Sequence, residues 1–167
     1  MTEEMVERLR GLPPRAGPPP ETHNEMPHQQ LSQNASPEMQ EALFERAAGL
    51  PGVVVGPSRV SVPGARAFVL EQASALGPAE SFMAGGTEFA HLHPSDDGSL
   101  HLTLPEEAVA EVERKGWGEL HPLARAGVIP RVAVMVFGPR DADELEAVWA
   151  ILQASHAFAR GTGSSPD

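Results

Sequence analysis

Residues 87–104 alternate between two kinds of side chain, and this restricts the fold more than any other feature of the chain. Asp96-Asp97-Gly98 reads as a three-residue hairpin loop, with glycine in the left-handed position that costs it nothing. Folding the chain back there pairs Ser95 with Ser99, His93 with His101 and His91 with Thr103. Directly paired residues share a sheet face. One face then carries Ala90, Leu92, Leu100, Leu102 and Leu104, and the other Phe89, His91, His93, Ser95, Ser99, His101 and Thr103. A two-residue loop at Asp97-Gly98 would set His91 and His93 opposite Leu104 and Leu102. A one-residue slip inverts every side chain, so the pattern selects an antiparallel hairpin with three imidazoles on one surface.

The rest of the chain supplies elements to pack on the leucine face. Ser36-Pro37-Glu38 is a cap followed by proline at the first helical position, and Met39, Leu43, Phe44 and Ala47 recur at helical spacing up to Gly49. Val53–Val55, Arg59–Val62 and Arg66–Leu70 are short β-like runs. Pro105 opens a second helix that ends at Arg114-Lys115-Gly116, and Trp117–Pro130 reads as loop. Arg131–Phe137 is an apolar strand, and Asp141 with Glu144 starts a last helix bearing Leu145, Val148, Trp149, Leu152 and His156. The expected fold class is α+β: a small, mainly antiparallel sheet with helices before, within and after the strand run.

Prolines set the expected boundaries. Leu12-Pro13-Pro14-Arg15-Ala16-Gly17-Pro18-Pro19-Pro20 cannot be helix or central strand. Residues 1–35 are therefore expected as a disordered or loosely docked tail. Residues 36–160 would be a single α+β domain, and 161–167 a disordered C-terminal tail. His23 and His28 fall in the first tail and receive no role.

Composition excludes several functions. The 167 residues hold no cysteine and no tyrosine, which removes disulfides, thiolate sites and phenolic acids or bases. The formal charge is -11, with 12 Lys and Arg against 23 Asp and Glu. Neither nucleic acid nor an anionic membrane surface is an expected partner of such an acidic chain. The N-terminus is not a secretory signal and no apolar run approaches a membrane span, so a cytoplasmic location is expected. There is no phosphate-binding loop, dinucleotide fingerprint or hydrolase elbow.

The chemistry concentrates on the histidine face. His91, His93 and His101 on adjacent strands suit a divalent metal, with Glu88, Glu119 or His121 to complete the shell. The same neutral imidazoles suit base and donor work on a small molecule, and a polar, metal-free sheet face is the third reading. His121 and Glu119 share a loop with Trp117, which either walls a pocket or plugs the core. His156 reads as a packed histidine near a helix C-terminus.

Three blocks carry a resemblance. Glu88-Phe89-Ala90-His91-Leu92-His93-Pro94, Asp97-Gly98-Ser99-Leu100-His101-Leu102 and Gly116-Trp117-Gly118-Glu119-Leu120-His121-Pro122-Leu123-Ala124 together resemble the domain family that includes the luciferase of luminous fungi, over about residues 50–158. The resemblance implies an oxygenase acting on a phenolic or pyrone-like compound with no organic cofactor. The fungal enzyme oxidises a hydroxylated styryl-pyrone with molecular oxygen, releasing carbon dioxide and light. Its N-terminal membrane segment has no counterpart here, and the composition suggests a bacterial source. On this reading His91, His93, His101, His121 and Glu119 are catalytic, and Phe89, Thr103 and Trp117 line the substrate site. The alternative is a non-catalytic metal- or small-molecule-binding domain using the same face.

Overall fold

The computed structural model describes residues 3–161, so the expectation for residues 162–167 lies outside them. A short helix α1 (Glu3–Arg10) precedes a two-stranded ribbon, β1 (Thr22–His23) and β2 (Gln29–Gln30). Helix α2 (Pro37–Ala48) leads into β3 (Val53–Pro57), β4 (Arg66–Leu70), β5 (Glu88–Leu92) and β6 (Leu100–Thr103). Helix α3 (Glu106–Arg114), β7 (Gly118–Leu120), the single turn α4 (Pro122–Arg125), β8 (Ala133–Val136) and α5 (Ala142–Arg160) complete the order. The main sheet runs β3-β4-β5-β6-β8-β7 with every neighbouring pair antiparallel. The fold is α+β. No helix among the described residues is long and apolar enough to cross a membrane.

The helices start and stop where local chemistry dictates. Ser36 accepts from the Met39 amide to cap α2, and Asp141 accepts from the Glu144 amide to cap α5. Gly161 ends α5 in the left-handed conformation. Arg59–Val62, expected as β-like, is instead a bend between β3 and β4. The expected loop after Trp117 holds β7 and α4. Gly118 opens β7 because a Cβ there would meet the Met135 carbonyl at 2.2 Å, so only glycine lets β7 lie against β8.

The leucine face is the core. Ala90, Leu92, Leu100, Leu102 and Leu104 are all 0% exposed and pack with Val109 and Val112 of α3 and Val148, Ile151 and Leu152 of α5. Each of these leucine, isoleucine and valine side chains contributes about 1.5–3 kcal/mol by leaving water. With helices on the leucine face, the histidine side of the sheet is left for the N-terminal segment to cover.

The expectation of a disordered or loosely docked tail is corrected for residues 3–35. Val6 and Leu9 of α1 are buried, and α1 packs on α3 and α5. Proline has a carbonyl but no N–H, so the polyproline stretch docks by accepting. Lys115 Nζ donates to the Leu12 carbonyl at 2.6 Å, Trp117 Nε1 to Pro13 at 2.9 Å and Arg140 to Ala16 at 2.8 Å. Further along, Gln30 bridges the Gly138 amide and the Asp97 carboxylate, and Asn34 donates to the Asp97 carbonyl. The segment is a strap, and it ends across the histidine face.

Two measurements check this architecture. Leu102→Ala should lower stability by roughly 2–5 kcal/mol in urea unfolding. Deleting residues 1–35 should lower the melting temperature by more than about 8 °C, because two buried anchors and the strap's hydrogen bonds are lost together.

Candidate functional site

The hairpin brings the predicted histidines to one face in a different register. His91 pairs with His101, Leu92 with Leu100, and the His93 amide donates to the Ser99 carbonyl. The expected pairing of His93 with His101 is thus off by two residues. A shift of two preserves the face of every side chain, which is why the leucine and histidine faces emerge as expected. The loop spans Pro94–Gly98, because the Pro94 carbonyl accepts from both the Asp97 and Gly98 amides. Gly98 takes the left-handed conformation, at φ 76°.

A row of paired residues crosses the middle of the sheet: Ala67, His91, His101, Met135 and Glu119. Pairing puts all five on one face. His93 joins them one pleat along β5. A bulge in the β4–β5 pairing alters the sequence reading at the start of β5. Phe68 pairs with Ala90 but Val69 with Glu88, so Phe89 is the extra residue. The bulge turns the Glu88 carboxylate toward His91 and sends Phe89 into the core against His156. Phe89 therefore faces the core rather than the histidines, where the alternation had placed it. Trp117 likewise fills the core and donates to the strap, and Thr103 is buried with its hydroxyl donating to the Ser81 carbonyl. His156 is buried, its Nε2 at 2.8 Å from the Pro51 carbonyl.

The cluster itself is enclosed. His91, His93 and His101 are 3%, 4% and 7% exposed, and His28 of the strap, given no role by the sequence, is buried over them. Every imidazole except that of His101 has one nitrogen fixed by a partner outside the group. His91 Nδ1 lies 2.8 Å from the Glu88 carboxylate and His28 Nε2 lies 2.6 Å from that of Glu119, so both nitrogens donate. His93 Nδ1 donates to Ser99 Oγ at 2.8 Å, since the hydroxyl spends its own proton on Asp97. His121 Nδ1 accepts from the Leu123 amide and caps α4.

In the neutral rings these partners leave His91 Nε2, His93 Nε2 and His28 Nδ1 as the lone-pair nitrogens, and all three face His101. His101 Nδ1 is 3.2 Å from His91 Nε2 and 3.0 Å from His93 Nε2, and His101 Nε2 is 2.8 Å from His28 Nδ1. A neutral imidazole has one proton to offer. Burial, then the neighbouring histidines, hold His101 well below the usual histidine range, so it is neutral at neutral pH. With its proton on Nε2 for His28, three ring nitrogens are left converging with no hydrogen among them. One ring nitrogen of His121 also lies within 4.8 Å of nitrogens of His28 and His101. Burial pushes His121 down to about 4.

Three carboxylates ring the group. Burial, the largest single influence, would raise Glu88, Asp97 and Glu119, but hydrogen bonds and attraction from several partners, led by the hydrogen bonds from His91, His93 and His28 respectively, together outweigh it, and all three stay below the usual carboxylate range. Each is therefore ionised, and each grips the imidazole that touches it. Of this outer set, the sequence marks Asp97 as a loop residue only. Its side chain, which accepts from the Ser99 amide at 2.9 Å, gave no sequence signal beyond turn chemistry.

Comparison with known proteins finds relatives of the chain that carries this cluster. The family described as "Luciferase domain" matches residues 86–155. A luciferase of Armillaria mellea is 32% identical over 166 residues, covering 90% of this chain and 62% of the relative, and one of Armillaria gallica matches to the same extent. A luciferase of Neonothopanus nambi is 41% identical over 73 residues, covering 42% of this chain and 27% of the relative. The chain thus spans less than two thirds of the length of these curated relatives. No solved structure matches it. His91, His93, His101, Glu119 and His121 all fall within the family match at residues 86–155, which His28 precedes, and the chain carries a luciferase-like domain.

Proposed function

We propose that the histidine cluster is a three-histidine divalent-metal centre, and that the protein is a cytoplasmic oxygenase of the luciferase type acting there on a phenolic or pyrone-like small molecule with no organic cofactor. One observation carries the metal: His91 Nε2, His93 Nε2 and His101 Nδ1 converge within 4.8 Å of one another, and a proton that His101 gives to His28 leaves none of its own for that group. Ligand bonds of about 2.0–2.1 Å in a tetrahedral arrangement put nitrogens about 3.3 Å apart, and the spacings of 3.0 and 3.2 Å to His101 fit after a small relaxation. Each ligand would be oriented from behind: His91 by Glu88, His93 by Ser99 and Asp97, His101 by His28 and Glu119. Outer partners of this kind raise ligand basicity and fix the tautomer.

His91, His93 and His101 would hold a divalent ion, which would supply positive charge beside an enolate or phenolate oxygen. His121 is neutral, and because its Nδ1 accepts from the Leu123 amide its proton sits on Nε2. It would donate that hydrogen to oxygen atoms at the cluster. Deprotonated, electron-rich enolates react with molecular oxygen, so ordered donors and a base are what the chain must add. The alternative, a metal-binding domain without turnover, uses the same residues and differs only in oxygen consumption.

Untagged protein should carry about one divalent ion per chain by elemental analysis. His93→Ala should remove it, and Glu88→Gln should weaken binding about 10- to 100-fold. Oxygen uptake with a panel of phenolic pyrones should follow metal content. A chain that neither retains nor takes up zinc, iron or manganese would overturn the centre. Stoichiometric metal with no oxygen uptake would leave the binding domain.

Acid should destabilise the chelator-treated protein. Folded His91 and His101 titrate below the value of 6.5 of an exposed histidine, each mainly through burial. Between about pH 7.5 and 5 the unfolded chain takes up protons that the folded chain does not, so stability falls as pH falls. A second loss should follow below about pH 4.5, where Glu88, Asp97 and Glu119 protonate more readily unfolded than folded. Urea midpoints measured across this range check both slopes.

A further inference from the structure

A second feature lies on the outer side of β7, where the strap passes Gly116, Gly118 and Phe137. A cavity of about 290 Å³ opens there, lined in part by Arg15, Glu113, Glu119 and Phe137. Arg15 is only 7% exposed, yet its Nε has no hydrogen-bond partner. Its other nitrogens reach Gln33 Oε1 at 3.0 Å and, at a long 3.4 Å, the Pro18 carbonyl, and its guanidinium lies 5.3 Å from the Phe137 ring centroid.

Among the described residues, no carboxylate pairs with this cation. Glu144 is close enough to act on it electrostatically, but both its oxygens are bound by Arg140, which itself repels Arg15. The cavity's own carboxylates are engaged as well: Glu119 by His28, and Glu113 by the Leu120 amide at 3.3 Å. A buried guanidinium with an orphan donor is costly unless an acceptor completes it. Arg15, the residue that carries the unanswered donor, lines space large enough for a small molecule, next to an aromatic ring and backbone that glycine leaves bare.

We propose that this cavity binds a small planar organic carboxylate, with Arg15 as its anchor and Phe137 and the glycine backbone as its flat wall. Guanidinium suits the planar, two-oxygen geometry of a carboxylate, and the apolar ring favours a ligand whose body is itself flat and apolar. The site is separate from the three-histidine centre and stands whether or not that centre holds a metal. Its one link to the cluster is Glu119, which lines the cavity and grips His28.

Benzoate is the probe. Titrated into the isotopically labelled full chain, it should shift the amide signals of Gly116, Gly118 and Phe137, and at saturation raise the melting temperature by about 5–10 °C. Benzyl alcohol, the neutral analogue, should do neither. Arg15→Met should weaken benzoate about 10- to 100-fold, as expected for loss of a charged hydrogen bond, and Arg15→Lys less. Amide shifts confined to other parts of the molecule would overturn the proposal, and this holds for the wild type even if Arg15→Met fails to fold. So would unchanged affinity in a folded Arg15→Met. Equal shifts from sulfate at matched ionic strength would overturn the organic-carboxylate assignment.

Discussion

Much of this molecule is arranged around the two nitrogens of His101. One faces His91 and His93 and the other faces His28, so a single imidazole sits among three lone pairs with at most one proton to distribute. A polar group so deeply enclosed is tolerable only when its hydrogen bonds are complete. The surrounding structure reads as successive answers to that demand. Glu88, Ser99 with Asp97, and Glu119 fix the outer nitrogens, and the strap brings His28 to the remaining side.

The sheet makes this arrangement affordable by dividing its labour between two faces. The leucine face, closed by α3 and α5, supplies apolar burial on the order of several kcal/mol. The other face is thereby free to bury imidazoles and carboxylates whose net contribution is small or unfavourable. Both faces come from the same short strands, so the core also fixes where the histidines stand. The nitrogens of β5 and β6 are placed by backbone pairing rather than by flexible loops.

How much of this was legible in the sequence depended on whether the signal was local. The alternation of Leu92, Leu100 and Leu102 with His91, His93 and His101 fixed the two faces. It fixed the register only to within an even number of residues, and the five-residue loop closed by the Pro94 carbonyl took the next even choice. Phe89 was misplaced because the bulge that frees it belongs to the partner pairing of β4, which no reading of β5 alone reveals. The strap was misread for a related reason. Proline density excludes helix and ladder but not order, and the donors that satisfy its carbonyls, Lys115, Trp117 and Arg140, lie more than 100 residues away along the chain. His28 therefore carried no signal, although its ring completes the cluster.

Charge balance gives an argument for the metal reading that does not depend on lone pairs. Glu88, Asp97 and Glu119 are ionised around a group of imidazoles, and among the described residues their ion-pair contacts are all to histidines: His91, His93 and His28. His91 is kept neutral by its burial, so for Glu88 at least the contact is a hydrogen bond to an uncharged ring. Arg125 adds attraction at Glu119, and no comparable cation acts on Glu88 or Asp97. A partly buried set of anions without cations is self-repelling, and more so at low dielectric. Two outcomes relieve it. Protons on the imidazoles would do so, and the depressed affinities of His91 and His101 for protons oppose that. A divalent cation at His91, His93 and His101 would do so through neutral ligands, offsetting most of the excess negative charge without protonating any ring. The same three carboxylates that hold the histidines in place thus favour added positive charge at the cluster, as the proposed metal would supply, and beside it stands His121, whose Nε2 has no hydrogen-bond partner among the described residues.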